Sequence, residues 1–297
     1  MTETRADVYS RITDQIAAAI EAGAGECRMP WHHDGHSTSR PNNLASKRAY
    51  RGINVLALWI ASDAAGYTDG LWGTYRQWLA EGAQVRKGER GTTVVLWKQS
   101  TSGSDDDHAG DDEPSGRRVV ARAFTVFNVA QVDGYVVECL DERTEPERFA
   151  HADADAFIAN LDIRTIYGGN DAYYLPGKDE VHLPDLAQFD DTAGFYGVSI
   201  HEYGHASGAK HRLDRDLTGR FGSEKYAAEE CVAEMTAGFV LADLGIAHLP
   251  RADHAAYIAT WLKAIKSDPR AIFAAASKAQ QAADWMHAQQ DVVAAAA

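Results

Sequence analysis

Apolar residues recur at helical spacing along the first twenty positions. Tyr9, Ile12, Ile16 and Ile20 fall on one stripe, so residues 4–22 are predicted to form an amphipathic helix, ended by Gly23 and Gly25. Residues 27–47 are polar and turn-rich, with Pro30, Trp31, Pro41 and Asn42-Asn43. An apolar helix then runs through Trp59 and Ile60 to Gly66, and a short helix is expected over 74–81. Beyond it the period changes. Gln84–Arg86 begin extended structure, Lys87–Gly91 read as a tight turn, and Thr92–Lys98 and Val119–Asn128 predict a pair of strands. A helix near 151–161 follows, then short strands at 163–167, 172–175 and 180–183, then helices over 193–207 and 224–243. Pro250 and Ser267-Asp268-Pro269 introduce two more helices, the last over 270–288. There is no internal repeat. The succession predicts an α+β protein, with a mixed α/β N-terminal part and a mainly helical C-terminal part holding a small sheet.

A chain of 297 residues suits two domains better than one core. The charged stretch 141–150, with Pro146, is the expected linker, which sets domains at 1–142 and 150–297. No apolar run reaches the length of a membrane span, and no membrane partner is expected. The N-terminus lacks an apolar signal core. Cys27, Cys139 and Cys231 are odd in number and far apart, which argues against a disulfide framework and for a reducing cytoplasm. The net charge of −14 is uneven: residues 28–98 carry ten Lys and Arg against five acids, whereas residues 151–297 carry twelve against twenty-one. Whole-chain acidity opposes nucleic-acid binding, and the basic stretch weakens that opposition. Residues 99–118, with Asp105-Asp106-Asp107 and Asp111-Asp112-Glu113, read as a mobile hairpin loop. They lack the glycine and terminal glutamate of a calcium loop.

The chemistry concentrates in His201-Glu202-Tyr203-Gly204-His205. Residues i and i+4 share a helix face, where two imidazoles can hold one Zn²⁺, or another divalent metal, and Glu202 can act as general base. A chance match on an ordinary helix is the alternative. A catalytic zinc takes a third protein ligand. The string through Gly208 to His211 fits one pattern. The next helix offers another route through Glu229 and Glu230. Glu229 shares a face with Val232, Ala233, Thr236 and Val240, and a carboxylate buried there needs a positive partner. Glu229 is therefore favoured, with Glu230 and His211 still open. Glu234 could brace a ligand histidine from behind.

The basic stretch interleaves cations with aromatic rings. Arg48, Arg51, Arg86, Lys87, Arg90 and Lys98 can meet phosphates, and Trp72 and Trp97 can stack on bases, whereas Trp59 and Trp78 are expected in the core. Core packing of all the rings is the competing reading.

Several stretches carry a family resemblance. Ile12-Thr13-Asp14-x-Ile16, Tyr50-Arg51-Gly52-Ile53-Asn54-Val55-Leu56, Val85-Arg86-Lys87-Gly88-Glu89-x-Gly91-Thr92 and Arg122-Ala123-Phe124-x-Val126-Phe127-Asn128 resemble the N-terminal domain of ArdC-type antirestriction proteins, which is shared with TraC-type plasmid primases. Tyr173-Tyr174-x-Pro176, the His201 motif, Arg212-Leu213-x-Arg215 and Tyr226-Ala227-x-Glu229-Glu230 resemble the zincin-like metallopeptidase domain of the same proteins. The resemblance implies a plasmid-borne protein that protects incoming DNA from host restriction during conjugation. Its N-terminal domain would bind single-stranded DNA without sequence preference. Its C-terminal domain would be a metallopeptidase, or keep the metal site, with a glutamate from the second helix as third ligand. Restriction–modification subunits or another protein would be its target. The alternatives are a non-catalytic DNA-binding protein with a structural metal, and a soluble metallopeptidase with no DNA role.

Overall fold

The computed structural model describes residues 5–24, 29–33, 40–100, 118–137, 146–220, 223–248 and 255–296, with main chain alone at 5–7, 98–100, 118–120, 146–151, 255–259 and 291–296. Residues 101–117 of the expected acidic loop, Cys27, Cys139 and Pro250 lie outside the described residues.

Helix α1 (Arg5–Gly23) follows the apolar stripe, with Ile12, Ile16 and Ile20 wholly buried. Each such side chain contributes about 1.5–3 kcal/mol by leaving water. Helix α2 (Ile53–Ala65) is apolar on most sides and stops at Gly66, whose left-handed backbone (φ 67°) returns its N–H to Asp63. A four-stranded sheet lies beside it, in the order β1 (Asn42–Asn43), β2 (Leu71–Gly73), β5 (Arg118–Asn128), β4 (Thr92–Ser100). The β4–β5 hairpin is antiparallel in continuous register from Thr92 opposite Val126 to Ser100 opposite Arg118. Helix α3 (Tyr75–Ala80) starts from a reciprocal cap between Thr74 and Gln77. It covers a two-stranded ribbon of β3 (Gln84–Val85) and β6 (Val132–Asp133).

The second half begins with α4 (Pro146–Ala159) and a three-stranded sheet. Strand β9 (Glu180–Leu183) is central, with β7 (Arg164–Tyr167) parallel on one side and β8 (Tyr173–Leu175) antiparallel at the other edge. Helices α5 (Thr192–Ala206), α6 (Glu224–Leu244), α7 (Ala255–Ser267) and α8 (Ala271–Ala296) follow. Helix α6 is the central rod, touching α4, α5, α7 and α8 and buried on all sides from Glu230 to Ala242. One hydrophobic cluster takes side chains from α1 and α2 as well as from α4 to α8. No helix among the described residues is long and apolar enough to cross a membrane.

Candidate metal centre and nucleic-acid interface

Helix α5 begins at Asp191, whose carboxylate accepts the Gly194 N–H at 2.6 Å. This start carries His201 and His205 onto the face that meets α6. Gly204 stands at the crossing, where a Cβ atom would lie 3.2 Å from the Ala233 Cα. The two backbones therefore approach closely enough for an α6 carboxylate to reach both imidazoles. The Nε2 atoms of His201 and His205 are 3.1 Å apart. Glu230 places Oε2 3.3 Å from the first and Oε1 3.3 Å from the second.

The remaining ring nitrogens face carboxylates. His201 Nδ1 is 2.7 Å from Glu234, and His205 Nδ1 is 3.5 Å from Glu229. A carboxylate accepts, so each ring proton belongs on Nδ1 and both Nε2 lone pairs point at Glu230. Three acceptors converging on one point repel each other unless a cation sits among them. Two ligands about 2.1 Å from one ion at the tetrahedral angle stand about 3.4 Å apart, close to the observed separations. The residues present fit a divalent cation. Burial alone would lower the pKa of His205, yet the facing carboxylates of Glu229 and Glu230 raise it to about 9. Burial pushes the Glu230 carboxyl up, and the two histidines outweigh it and hold it well below its usual range.

Glu229, favoured from sequence as the third ligand, is differently engaged. Arg215 donates to it from Nη2 at 2.7 Å and from Nε at 3.2 Å, and also holds the Ser207 hydroxyl and the Gly204 carbonyl. Glu230 is the residue whose carboxylate meets both Nε2 atoms. The helical wheel misleads because α6 is buried on all sides from Glu230 to Ala242: Glu230 is 7% exposed and Glu234 1%. His211 stands apart, its side chain 62% exposed beside Asp179. Glu202 is buried next to His201 and borders a cleft of about 350 Å³ with Tyr173, Tyr174, Tyr226 and Glu230.

The predicted nucleic-acid residues divide into two groups. Arg51 and Trp97 line a groove of about 800 Å³ between the four-stranded sheet and α8, together with Asn43, Gln77 and Phe124. Arg48 is exposed on the neighbouring turn, and Arg51 is paired with Asp284. Arg86 and Lys87 border a shallower recess, with Arg90 exposed nearby. There Arg86 is tied to Glu89 and Asp133. Trp97 is 41% exposed, as stacking requires. Trp72 is corrected: it is fully buried with Leu58, Val94 and Val126, because β2 is an interior strand. Trp59 and Trp78 are core residues as expected. The Lys98 side chain lies outside the described residues.

Sequence reasoning gave no role to Arg215 in bracing Glu229, or to His32 and His248, which come beside Glu234 from two separate loops. Nothing in local spacing marks such partners.

Residues 152–278 match the family of zincin-like metallopeptidases, and residues 6–127 match the N-terminal domain of anti-restriction factor ArdC. The chain is 56% identical over 291 residues to uncharacterized protein y4eC of Sinorhizobium fredii (strain NBRC 101917 / NGR234), covering 97% of this chain and 94% of that one. It is 35% identical to a DNA primase TraC of Escherichia coli, covering 96% of this chain but only 27% of the primase. The crystal structure of the antirestriction protein ArdC from plasmid R388, metal-free, superposes with a TM-score of 0.78 at 35% identity over 96% of this chain and 98% of that one. The Mn(II)-bound structure of the same protein gives 0.75 at 36% identity over 95% and 98%. With both halves matched in order and the whole length superposed, the chain belongs to the ArdC family of antirestriction proteins.

Proposed function

We propose that this protein protects incoming plasmid DNA from restriction during conjugation, binding single-stranded DNA through residues 1–142 and carrying a divalent-metal centre in residues 150–297. The observation that carries the metal centre is the convergence of His201 Nε2, His205 Nε2 and Glu230 on one point, with Glu234 and Glu229 behind the two rings. His201, His205 and Glu230 would hold the ion. The two-histidine, one-carboxylate set suits Zn²⁺, and the Mn(II)-bound relative supports Mn²⁺ as an alternative. A divalent ion held there supplies Lewis acidity to a scissile carbonyl and lowers the pKa of a water. Glu202 takes the proton of the attacking water and returns it to the leaving amine. The outer edge of β8, unpaired among the described residues and with Tyr173 and Tyr174 on the cleft, is suited to receive an extended peptide by strand addition.

Glu202→Gln tests the chemistry. The variant is expected to bind one metal ion as tightly as the wild type and to lose hydrolysis of an unfolded reporter protein. Residual cleavage by the purified variant contradicts the assignment of Glu202. Antirestriction in cells that survives this substitution makes the metal a structural element of a binding protein.

The DNA arm rests on the groove beside Trp97. Its floor is aromatic and apolar, its walls carry the Asn43 and Gln77 amides, and Arg48 and Arg51 stand at the adjoining turn. That combination suits an unpaired base and its phosphate. Anisotropy of a labelled single-stranded oligonucleotide should show binding that weakens steeply with salt as counterions are released. No binding at low salt removes the DNA arm and leaves a metallopeptidase with an accessory domain.

A further inference from the structure

Residues 29–33 cross from the N-terminal half to the back of the metal centre. Trp31 is fully buried, with its ring edge-on to Trp261 at 5.6 Å. Its main chain lies against Gly238 of α6, where a Cβ atom would stand 2.9 Å from the Trp31 carbonyl oxygen. His33 and His248 exchange both main-chain hydrogen bonds, at 3.0 and 2.8 Å, and His33 Nε2 meets the Gly238 carbonyl at 3.0 Å. The segment is thereby pinned to α6 and to the loop after it. It delivers His32 beside Glu234 and His248: the ligating atoms of these three buried residues lie within 4.8 Å of one another. The His32 and His248 rings meet edge to face at 5.0 Å, and His248 Nε2 is 3.5 Å from the second oxygen of Glu234.

The ring protons follow from the partners. The Met29 N–H donates to His32 Nδ1 at 3.0 Å, so a neutral His32 carries its proton on Nε2. His32 thus has an N–H and not a lone pair left for the cluster, which disfavours a second ion here. His248 Nδ1 meets the Trp31 carbonyl at 3.2 Å and carries a proton there, so its Nε2, 3.5 Å from Glu234, holds that carboxylate as the second N–H of an imidazolium. Glu234, 1% exposed, is a buried carboxylate that needs donors on both oxygens. One oxygen faces the ligand His201, and the other faces this pair of imidazoles.

We propose that His32 and His248 are positioning residues of the metal centre: they hold Glu234 against His201 Nδ1, so that a segment of the N-terminal half sets how tightly the C-terminal site binds its ion. The proposal rests on the metal-centre reading above. Loss of either imidazole lets Glu234 turn away from His201, and the ring loses the partner that fixes its tautomer and raises its basicity.

Titration calorimetry of the full chain with Mn²⁺, and with Zn²⁺ in competition with a chelator, tests this without any activity assay. One ion per wild-type chain is expected. Glu234→Gln should weaken binding about 10- to 100-fold, the range that partners of ligand histidines command. His32→Ala and His248→Gln should each weaken it about 10-fold. His32→Ala placed on Glu234→Gln should add less than about twofold, because both act through one contact. Trp31→Phe loosens the same segment without touching the imidazoles. It should lower the melting temperature while leaving affinity within about twofold, which separates positioning from general damage. Affinities of both histidine variants within twofold of wild type overturn the proposal. So does a second ion per chain that disappears in His248→Gln, since the cluster would then be a metal site itself. A wild-type chain that binds no ion at all instead refutes the metal centre on which the proposal depends.

Discussion

Three carboxylates within six residues of α6 do different work. Glu230 meets the two Nε2 atoms, Glu229 closes on Arg215 behind His205, and Glu234 stands behind His201. Glu230→Gln is therefore expected to weaken metal binding by more than about 100-fold while leaving the metal-free melting temperature nearly unchanged. Glu229→Gln should keep affinity within about tenfold. It should cost about 3 kcal/mol of folding stability, because it leaves the Arg215 guanidinium, 5% exposed, without its counter-charge. Calorimetry and thermal melts of the two variants check the pair, and the opposite ranking contradicts the assignment. The histidines were legible in the sequence because i and i+4 spacing is a local property of a helix. Which of Glu229 and Glu230 faces the two Nε2 atoms was not, because a helical wheel presumes one wet face and α6 is enclosed by four other helices. Trp72 and Trp97 are a similar case. Both look alike in sequence, and only the assembled sheet shows Trp72 enclosed on an interior strand and Trp97 41% exposed on an edge strand.

At the scale of elements, the α5–α6 crossing sets the site. Gly204→Ala pushes a methyl group to 3.2 Å from the Ala233 Cα. It should cost about 1–3 kcal/mol through overpacking and weaken metal binding as Glu230 draws back. Gly197, on the same helix, would meet only His248 at 3.8 Å, so Gly197→Ala should leave stability unchanged or raise it by up to about 1 kcal/mol. Equal effects of the two substitutions contradict the role of the crossing. The loop after α5 is tied to the β8–β9 turn by two hydrogen bonds from Arg212 to Asp179, at 2.7 and 2.8 Å. The Arg212 bond is the main cause that holds the Asp179 carboxyl below its usual range. A depressed folded pKa stabilises above the unfolded value of about 3.9, and that contribution fades as pH falls through the folded value. Asp179→Asn should thus melt lower than wild type at pH 7, with the gap closing as pH falls below about 4 and on through the lowered folded value. A constant gap across that range contradicts the ion pair. The long elements were readable from period alone, as α1, β4, α5 and α6 are. Strands β1, β2 and β6 span two or three residues each, too few for any alternation to develop.

Over the whole molecule, the two halves share one buried cluster, and α8 packs against both α2 and α6. The charge asymmetry visible in the sequence leaves Arg48, Lys87 and Arg90 exposed on the N-terminal half. On this account Trp97→Ala should weaken single-stranded DNA binding by about 1–3 kcal/mol, the range measured for base stacking. Trp72→Ala should instead destabilise the fold by about 3–5 kcal/mol through its cavity. Anisotropy and melting curves on both variants separate the two roles. The contact of residues 29–33 with Glu234 could not be foreseen from the sequence, since it joins positions about two hundred apart through loops with no periodic signal.

Everything proposed for the C-terminal half turns on which residues hold the ion. Crystals of the full chain grown with Mn²⁺ and measured near the manganese absorption edge give the ion's position directly. One anomalous peak per chain is expected, within about 2.3 Å of His201 Nε2, His205 Nε2 and the Glu230 carboxylate, with Glu229 still on Arg215. A peak coordinated by Glu229 or His211 in place of Glu230, or no peak between the two histidines, contradicts it.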